Sequence, residues 1–231
     1  MMRYEHIFFD LDRTLWDFDT NSYDALSDIF EEYRLEERGA GVASAFILQY
    51  QKINKHLWEL YSQQKIDKQT LRWTRFDLAL KSFGIVDQQL AEAIALRYLQ
   101  LSPLKTALLP GTVDALDHLA GRYRLHIITN GFEEVQLLKL RNSGLDRYFD
   151  VVVTSDGVGC KKPAQRIFQL ACEGCGANTN ASIMVGDDLE TDILGAQNAG
   201  MDHIYFNREG AQHSYEVTHE IRHLSELKTI L

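Results

Sequence analysis

The sequence predicts an α/β protein: a doubly wound parallel sheet whose chain is interrupted, after its first strand, by an all-helical insert. Three observations carry that expectation. From Leu108 onward, apolar runs of strand length alternate with segments of helical period. One further apolar run, Ile7-Phe8-Phe9, stands near the start and ends in acids. Between the two, from Asn21 to about Leu101, every periodic segment is helical. Strand–helix alternation implies parallel pairing through right-handed crossovers. Residues 1–16 and 105–231 are therefore expected to form the sheet domain, and 17–104 the insert.

The elements follow in order. Ile7–Phe9 reads as a buried strand. In the insert, Leu26, Ile29, Phe30 and Tyr33 repeat at i, i+3, i+4, i+7, and Phe46 to Tyr61 keeps that spacing for longer. Asp67 is placed to cap a third helix carrying Leu71, Leu78 and Phe83, which Gly84 can end. Asp87 is placed to cap a fourth with Leu90, Ile94, Ala95 and Leu101, and Ser102-Pro103 closes the block. A short helix with Val113, Leu116 and Leu119 then leads to the strand Leu125–Ile128 and to Thr129-Asn130-Gly131. A helix over 133–142 stops at Gly144, and Phe149–Val153 is a strand. Pro163 suits the first turn of a helix with Ile167, Phe168 and Leu170. Ser182–Val185 is a strand ending in Gly186-Asp187-Asp188, a helix follows to Gly200, and His203–Phe206 is the next strand. A short helix is expected from Ser225.

The 231 residues suffice for one large domain or a domain with a sizeable insertion, and 45% hydrophobic with 25% charged residues is ordinary globular composition. A net charge of −9 argues against binding a nucleic acid polymer through a basic face. The longest apolar runs fall short of a membrane span, and Met1-Met2-Arg3-Tyr4-Glu5-His6 lacks the apolar region of a secretory signal. Three cysteines, an odd and low count, fit a reducing cytoplasmic setting. Cys172-Glu173-Gly174-Cys175 matches a redox or zinc spacing, but it falls on a helix end with no second ligand pair, so packed free thiols are expected.

Polar groups gather at the predicted carboxyl ends of the strands, where open α/β sheets bind ligands. They are Asp10 and Asp12; Thr129 and Asn130; Lys161-Lys162; and Asp187, Asp188 and Asp192. Each has an ordinary reading: Thr-Asn-Gly as a turn, Lys-Lys-Pro as a solvated loop, the later acids as a favourable helix N-terminus. Jointly they point to a site. Two acids as close as Asp10 and Asp12 resist joint ionisation and call for a cation or a proton.

Asp10-x-Asp12-x-Thr14, a strand ending in Thr129-Asn130, Lys162-Pro163 and Gly186-Asp187-Asp188-x-x-x-Asp192 together resemble the haloacid dehalogenase superfamily of aspartate-nucleophile phosphohydrolases. The resemblance spans the whole core, and implies that this core is Rossmann-like and that the insert is the family's helical cap of the first type. It implies that Asp10 is the nucleophile, forming an aspartyl-phosphate. Asp12 would protonate the leaving oxygen and then activate water. Thr129 would donate its hydroxyl to a phosphoryl oxygen, with backbone amides near Asn130 and Gly131 assisting in binding phosphate, and Lys162 would neutralise charge. The family pattern favours Lys162, immediately before Pro163, over Lys161. The implied cofactor is Mg²⁺, held by Asp10, the Asp12 carbonyl and Asp187, with Asp188 and Asp192 supporting. The sequence departs from the pattern at Arg13, where Gly or Asn is more usual, and at Ala164-Gln165, where the family often has Asp-Pro; a slightly altered loop with the lysine's role retained is expected.

An Asp at position 12 favours phosphoester hydrolysis over carbon–halogen cleavage, since dehalogenases need no general acid there. Thr14-Leu15-Trp16-Asp17-Phe18 further resembles the bacterial house-cleaning pyrimidine 5′-nucleotidases. Trp16 and Phe18 are then candidates to stack on a base or sugar, with hinge packing as the alternative. The expected partner is a small phosphorylated metabolite, a nucleoside 5′-monophosphate first, and phosphoglycolate or a sugar phosphate as alternatives. A phosphomutase and a non-catalytic binding module are the other readings. A monomer is the default, and the cap is expected to open and close around substrate.

Overall fold

The computed structural model describes residues 3–231; Met1 and Met2, part of the N-terminal stretch read above, lie outside the described residues. The chain divides into a sheet unit, which runs to Phe18 and resumes at Thr106, and a helical unit, Asp19–Lys105. Asp17 and Phe18 thus belong to the sheet unit and Lys105 to the helical one, a small shift from the boundaries expected above.

The sheet unit holds strands β1 (His6–Phe9), β2 (Arg124–Thr129), β3 (Phe149–Thr154), β4 (Ser182–Gly186), β5 (Asp202–Phe206) and β6 (His219–Ile221). They pair in the order β3-β2-β1-β4-β5-β6, every pair parallel. β1 is therefore central, and the chain leaves it to either side, which makes its carboxyl end the switch point where a crevice opens. Alternate residues of β1 enter different cores, as the strand period demands. Ile7 and Phe9 join Leu116, Leu119, Leu125, Ile127, Ile183 and Val185 on one face, while Phe8 joins Ile128, Ile167, Phe168 and Met184 on the other. Burial on both faces explains why β1 reads as an unbroken apolar run rather than an alternating one. β6 was not expected: His219-Glu220-Ile221 has too few residues and only one apolar side chain to signal a strand.

Four helices make up the insert: α1 (Phe18–Glu32), α2 (Ala43–Ser62), α3 (Lys68–Lys81) and α4 (Gln88–Leu101). Asp67 accepts a hydrogen bond from the Thr70 amide at 2.7 Å and Asp87 one from the Leu90 amide at 2.9 Å, so both capping expectations hold. Leu26, Ile29, Phe46, Tyr50, Phe76, Leu80, Ile94 and Tyr98 form this unit's core. Leu78, expected inward, is 40% exposed, because α3 buries the face carrying Arg75, Phe76, Ala79 and Leu80. Arg75 is enclosed there, donating to Asn54 Oδ1 at 3.0 Å and lying over the Tyr98 ring at 5.3 Å.

The sheet unit's helices are α5 (Thr112–Ala120), α6 (Glu133–Asn142), the single turn α7 (Ser155–Val158), α8 (Gln165–Cys175), α9 (Leu194–Asn198, entered through one wide turn over Leu189–Ile193) and α10 (Leu227–Ile230). α8 starts two residues after Pro163, with Ala164 at its N-cap. Among the described residues no helix is long and apolar enough to cross a membrane.

Candidate active site

β1 ends at Phe9 and delivers Asp10 to the crevice between β2 and β4. Asp10 is buried, and its Oδ1 accepts from Lys162 Nζ at 2.6 Å. The same ammonium donates to the Ile128 carbonyl at 2.8 Å and pairs with Asp192 at 2.6 Å. Carboxylate oxygens of Asp10, Asp187 and Asp192 lie within 4.8 Å of one another. Burial pushes the Asp10 carboxyl up to about 7, against the opposing charge of Lys162. Burial, and then the charge of Asp10, raise Asp187 well above the carboxylate range, and burial also raises Asp192. Burial alone would lower Lys162, but Asp10 and Asp192 together raise it. One lysine thus pairs with two of three crowded acids, and the remaining demand is for positive charge. An all-oxygen donor set of this kind suits a hard divalent cation such as Mg²⁺.

The supporting contacts are local and specific. Asn130 grips the backbone of Lys162 from both sides: its Nδ2 donates to the Lys162 carbonyl at 3.0 Å, and its Oδ1 accepts from the Lys162 amide at 2.8 Å. The Asn130 side chain therefore positions the lysine, and the phosphate contact expected near Asn130 and Gly131 concerns their backbone amides. Thr129, buried at the end of β2, accepts from the Gly131 amide at 3.1 Å. Thr14, buried and given no role from the sequence, donates to Asp187 Oδ1 at 3.2 Å. Asp192 Oδ2 accepts from the Asp188 amide at 3.1 Å. A Cβ at Gly186 would fall 2.3 Å from that same Oδ2, so only glycine lets Asp192 approach the strand end. Asp188 accepts from the amides of Glu190 at 3.0 Å and Thr191 at 2.8 Å, which makes it the cap of the turn leading into α9.

Asp12 stands apart from the acid cluster. Its Oδ1 accepts from Lys139 Nζ at 2.6 Å and its Oδ2 from Gln136 Nε2 at 2.8 Å. Neither partner was expected from the sequence. Lys139 also lies 4.1 Å from the Trp16 ring centroid. Trp16 is fully enclosed in the sheet unit's core, so the expected stacking of its ring on a substrate is not what this position does. Its ring packs, and its backbone bridges to Leu108. Phe18 is half-buried, with the Arg13 guanidinium 4.4 Å from its centroid. Arg13 has φ 66°, a left-handed conformation costing a side-chain-bearing residue about 1 kcal/mol, which explains why Gly or Asn suits this place. Its charge opposes the upward shift of Asp187.

A second cluster lies toward the opposite ends of the strands. His6, His126 and Cys175 bring donor atoms within 4.8 Å. The two rings meet head to head, His6 Nδ1 to His126 Nε2 at 3.0 Å, with planes 21° apart. A 3.0 Å separation is that of an N–H···N hydrogen bond, in which one ring donates and the other accepts. The Cys175 thiol donates to the Ala171 carbonyl at 3.2 Å, and Cys172 is buried and free.

The fold and the site define a Rossmann-like protein with a buried aspartate–lysine pair and an acid cluster at the switch point of its sheet. The chain belongs to the haloacid dehalogenase-like hydrolase family, whose sequence model matches residues 4–200. It is 33% identical, over 100% of its own length and 99% of the relative's, to pyrimidine 5′-nucleotidase YjjG of Escherichia coli (strain K12). It is 34% identical, over 94% and 92%, to pyrimidine 5′-nucleotidase PynA of Streptococcus pneumoniae (strain ATCC BAA-255 / R6). Among solved structures, the HAD-hydrolase YfnB of Bacillus subtilis, bound to magnesium, superposes with a TM-score of 0.89 at 29% identity, covering 99% of this chain and 98% of that one.

Proposed function

We propose that the protein is a Mg²⁺-dependent phosphomonoester hydrolase that works through an aspartyl-phosphate on Asp10, with a pyrimidine nucleoside 5′-monophosphate as its substrate. The observation that carries this reading is the division between the two acids: Asp10 lies buried against Lys162 at 2.6 Å, while Asp12 is held away from it by a lysine of its own. Two carboxylates in separate environments can take separate roles.

Asp10 Oδ attacks phosphorus and the bond to the leaving oxygen breaks, with Asp12 delivering the proton that oxygen needs. Asp12 then takes a proton from water as the water attacks the aspartyl-phosphate, and phosphate and free Asp10 are regenerated. Thr129 and the amides around Gly131 would bind phosphoryl oxygens, and Lys162 would offset their charge. Asp10, Asp187 and the Asp12 carbonyl would hold the Mg²⁺. Bound there, it supplies the positive charge that keeps Asp10 ionised and shields the phosphate. Asp192, already paired with Lys162 and the Asp188 amide, supports these groups from behind.

The names of the two nucleotidase relatives and the Thr14–Phe18 stretch support the nucleotide as substrate. The test is phosphate release, with Mg²⁺ and with chelator, from pyrimidine and purine 5′-monophosphates, phosphoglycolate and sugar phosphates. Release from pyrimidine nucleotides that chelation abolishes is expected. Isomerised sugar phosphate without free phosphate would make the protein a mutase, and no release from any ester would remove the catalytic reading.

A further inference from the structure

α6 buries two polar side chains beside Leu140 and leaves two leucines exposed. Leu137 and Leu138 are 46% and 43% exposed, while Gln136 and Lys139 are 1% and 3% exposed. Turning two leucines to solvent and burying an amide and an ammonium opposes the usual partition, so the buried pair must be held by something specific. What holds it is Asp12, each of whose carboxylate oxygens accepts one of these two donors.

Two further features commit neighbouring residues to the same contact. The Gln136 side chain lies across Gly131, where a Cβ would sit 1.6 Å from Nε2 and 2.4 Å from Cδ. Any side chain at position 131 would therefore expel the amide from its place beside Asp12. Gln136 also leaves its own Oε1 buried without a hydrogen-bond partner. Turning the amide over would aim that oxygen at the carboxylate, so its orientation is dictated by Asp12 even though one polar atom goes unsatisfied. The Lys139 ammonium is walled by aromatic rings, 4.1 Å from the Trp16 centroid and 5.6 Å from that of Phe18, which confines it to a single direction.

We propose that Gln136 and Lys139 are positioning residues that fix the carboxylate of Asp12 for proton transfer, and that Gly131, Trp16 and Phe18 form the seat that holds them. This rests on the reading of Asp12 as the acid and base of phosphoester hydrolysis. The role is specific to proton transfer, so its loss must depend on how much the leaving group needs a proton. An alkoxide leaving from a nucleotide needs one, whereas p-nitrophenolate does not.

The experiment measures kcat/KM, which reports the transfer to Asp10, for a nucleoside 5′-monophosphate and for p-nitrophenyl phosphate in Lys139→Met, Lys139→Arg and Gln136→Leu. Lys139→Met is expected to lose on the order of a hundredfold on the nucleotide and less than about fivefold on the aryl ester. Lys139→Arg should recover most of the nucleotide activity. Gln136→Leu should show the same split at smaller size, and it answers the question if Lys139→Met fails to fold. Gly131→Ala should reproduce the Gln136→Leu pattern by displacing the amide. Equal losses on both esters would reduce the pair to a packing role and overturn the proposal, as would unchanged activity on both. Wild-type protein that releases phosphate from neither ester would instead refute the hydrolase reading itself, a result separable from the other two.

Discussion

The two ends of the sheet each bury a titratable cluster, and they resolve the cost in opposite ways. Toward the amino ends of β1 and β2, burial lowers the His126 imidazole to about 4 and lowers His6 as well. Both rings are then neutral, and one N–H···N bond of 3.0 Å joins them, although His126 Nδ1 stays buried without a hydrogen-bond partner. At the carboxyl ends, burial acts in the same sense toward neutrality and raises Asp10, Asp187 and Asp192. There Lys162 pulls toward ionisation, and the cluster cannot become both neutral and paired. A buried cluster that closes upon itself is structure; one that still demands charge is a site.

That contrast can be broken experimentally, and the largest effect expected is kinetic. Asp10→Asn should lower phosphate release by at least about a thousandfold while the far-ultraviolet circular dichroism stays that of the wild type. Near-wild-type turnover in that variant would remove the nucleophile from the acid end. Lys162→Met should be costly to the fold, by about 3–5 kcal/mol in urea denaturation, because Asp10 and Asp192 lose the charge they share.

Next comes the cation. Mg²⁺ at about a hundred times its dissociation constant should stabilise the wild type by about 2.7 kcal/mol. Asp187→Asn should lose that gain and yet be more stable than the wild type in chelator, since it removes one of three repelling acids. An equal Mg²⁺ shift in both proteins would place the ion elsewhere.

The smallest expected effect separates the ends by pH. His126 has a folded value of about 4 against an ordinary 6.5, so the unfolded chain binds the extra proton between them. Stability from this end is complete above pH 6.5 and is lost as the pH falls toward 4. Asp10 is raised from 3.8 to about 7, so there the folded chain binds the extra proton. Stability from the acid end is complete below 3.8 and is lost as the pH rises through 7. In chelator the two slopes oppose each other; Mg²⁺ should suppress the second and expose the first. His126→Leu should then flatten the remaining acid limb, and an unaltered limb in that variant would assign it to other groups.

The parts of this arrangement that could be read from the sequence are those where one pattern stops and another chemistry starts. Apolar runs ending in Asp10, Thr129 and Asp187 mark strand ends because strands buried on both faces leave no polar residue until the crevice. Lys162 is legible only through its place before Pro163. The Asn130 side chain was given no role because an amide in a turn gives no hint of its partner; that partner is the backbone of a residue 32 positions away. Trp16 could be read as a stacking surface or as hinge packing, because aromatic residues near a site resemble one another in sequence whether they face inward or outward. Gln136 and Lys139 were hidden for a different reason. They are ordinary helix formers three positions apart, and the helix reads as weakly amphipathic, with Leu137 and Leu138 exposed and only Leu140 of its leucines buried.

The central place of β1 also governs when the site can come into being. Its contacts join residues 152 positions apart for Asp10 and Lys162, 124 for Asp12 and Gln136, and 173 for Thr14 and Asp187. The helical unit, by contrast, is one unbroken stretch from Asp19 to Lys105. Closing long loops delays the contacts that depend on them. Asp10 and Asp12 precede the helical stretch in the chain, and the lysines that pair with them, Lys162 and Lys139, follow it. Pulsed hydrogen exchange during refolding should find amides of α2 to α4 protected before those of β1, so the aspartates gain their lysines only when the sheet around them is nearly whole.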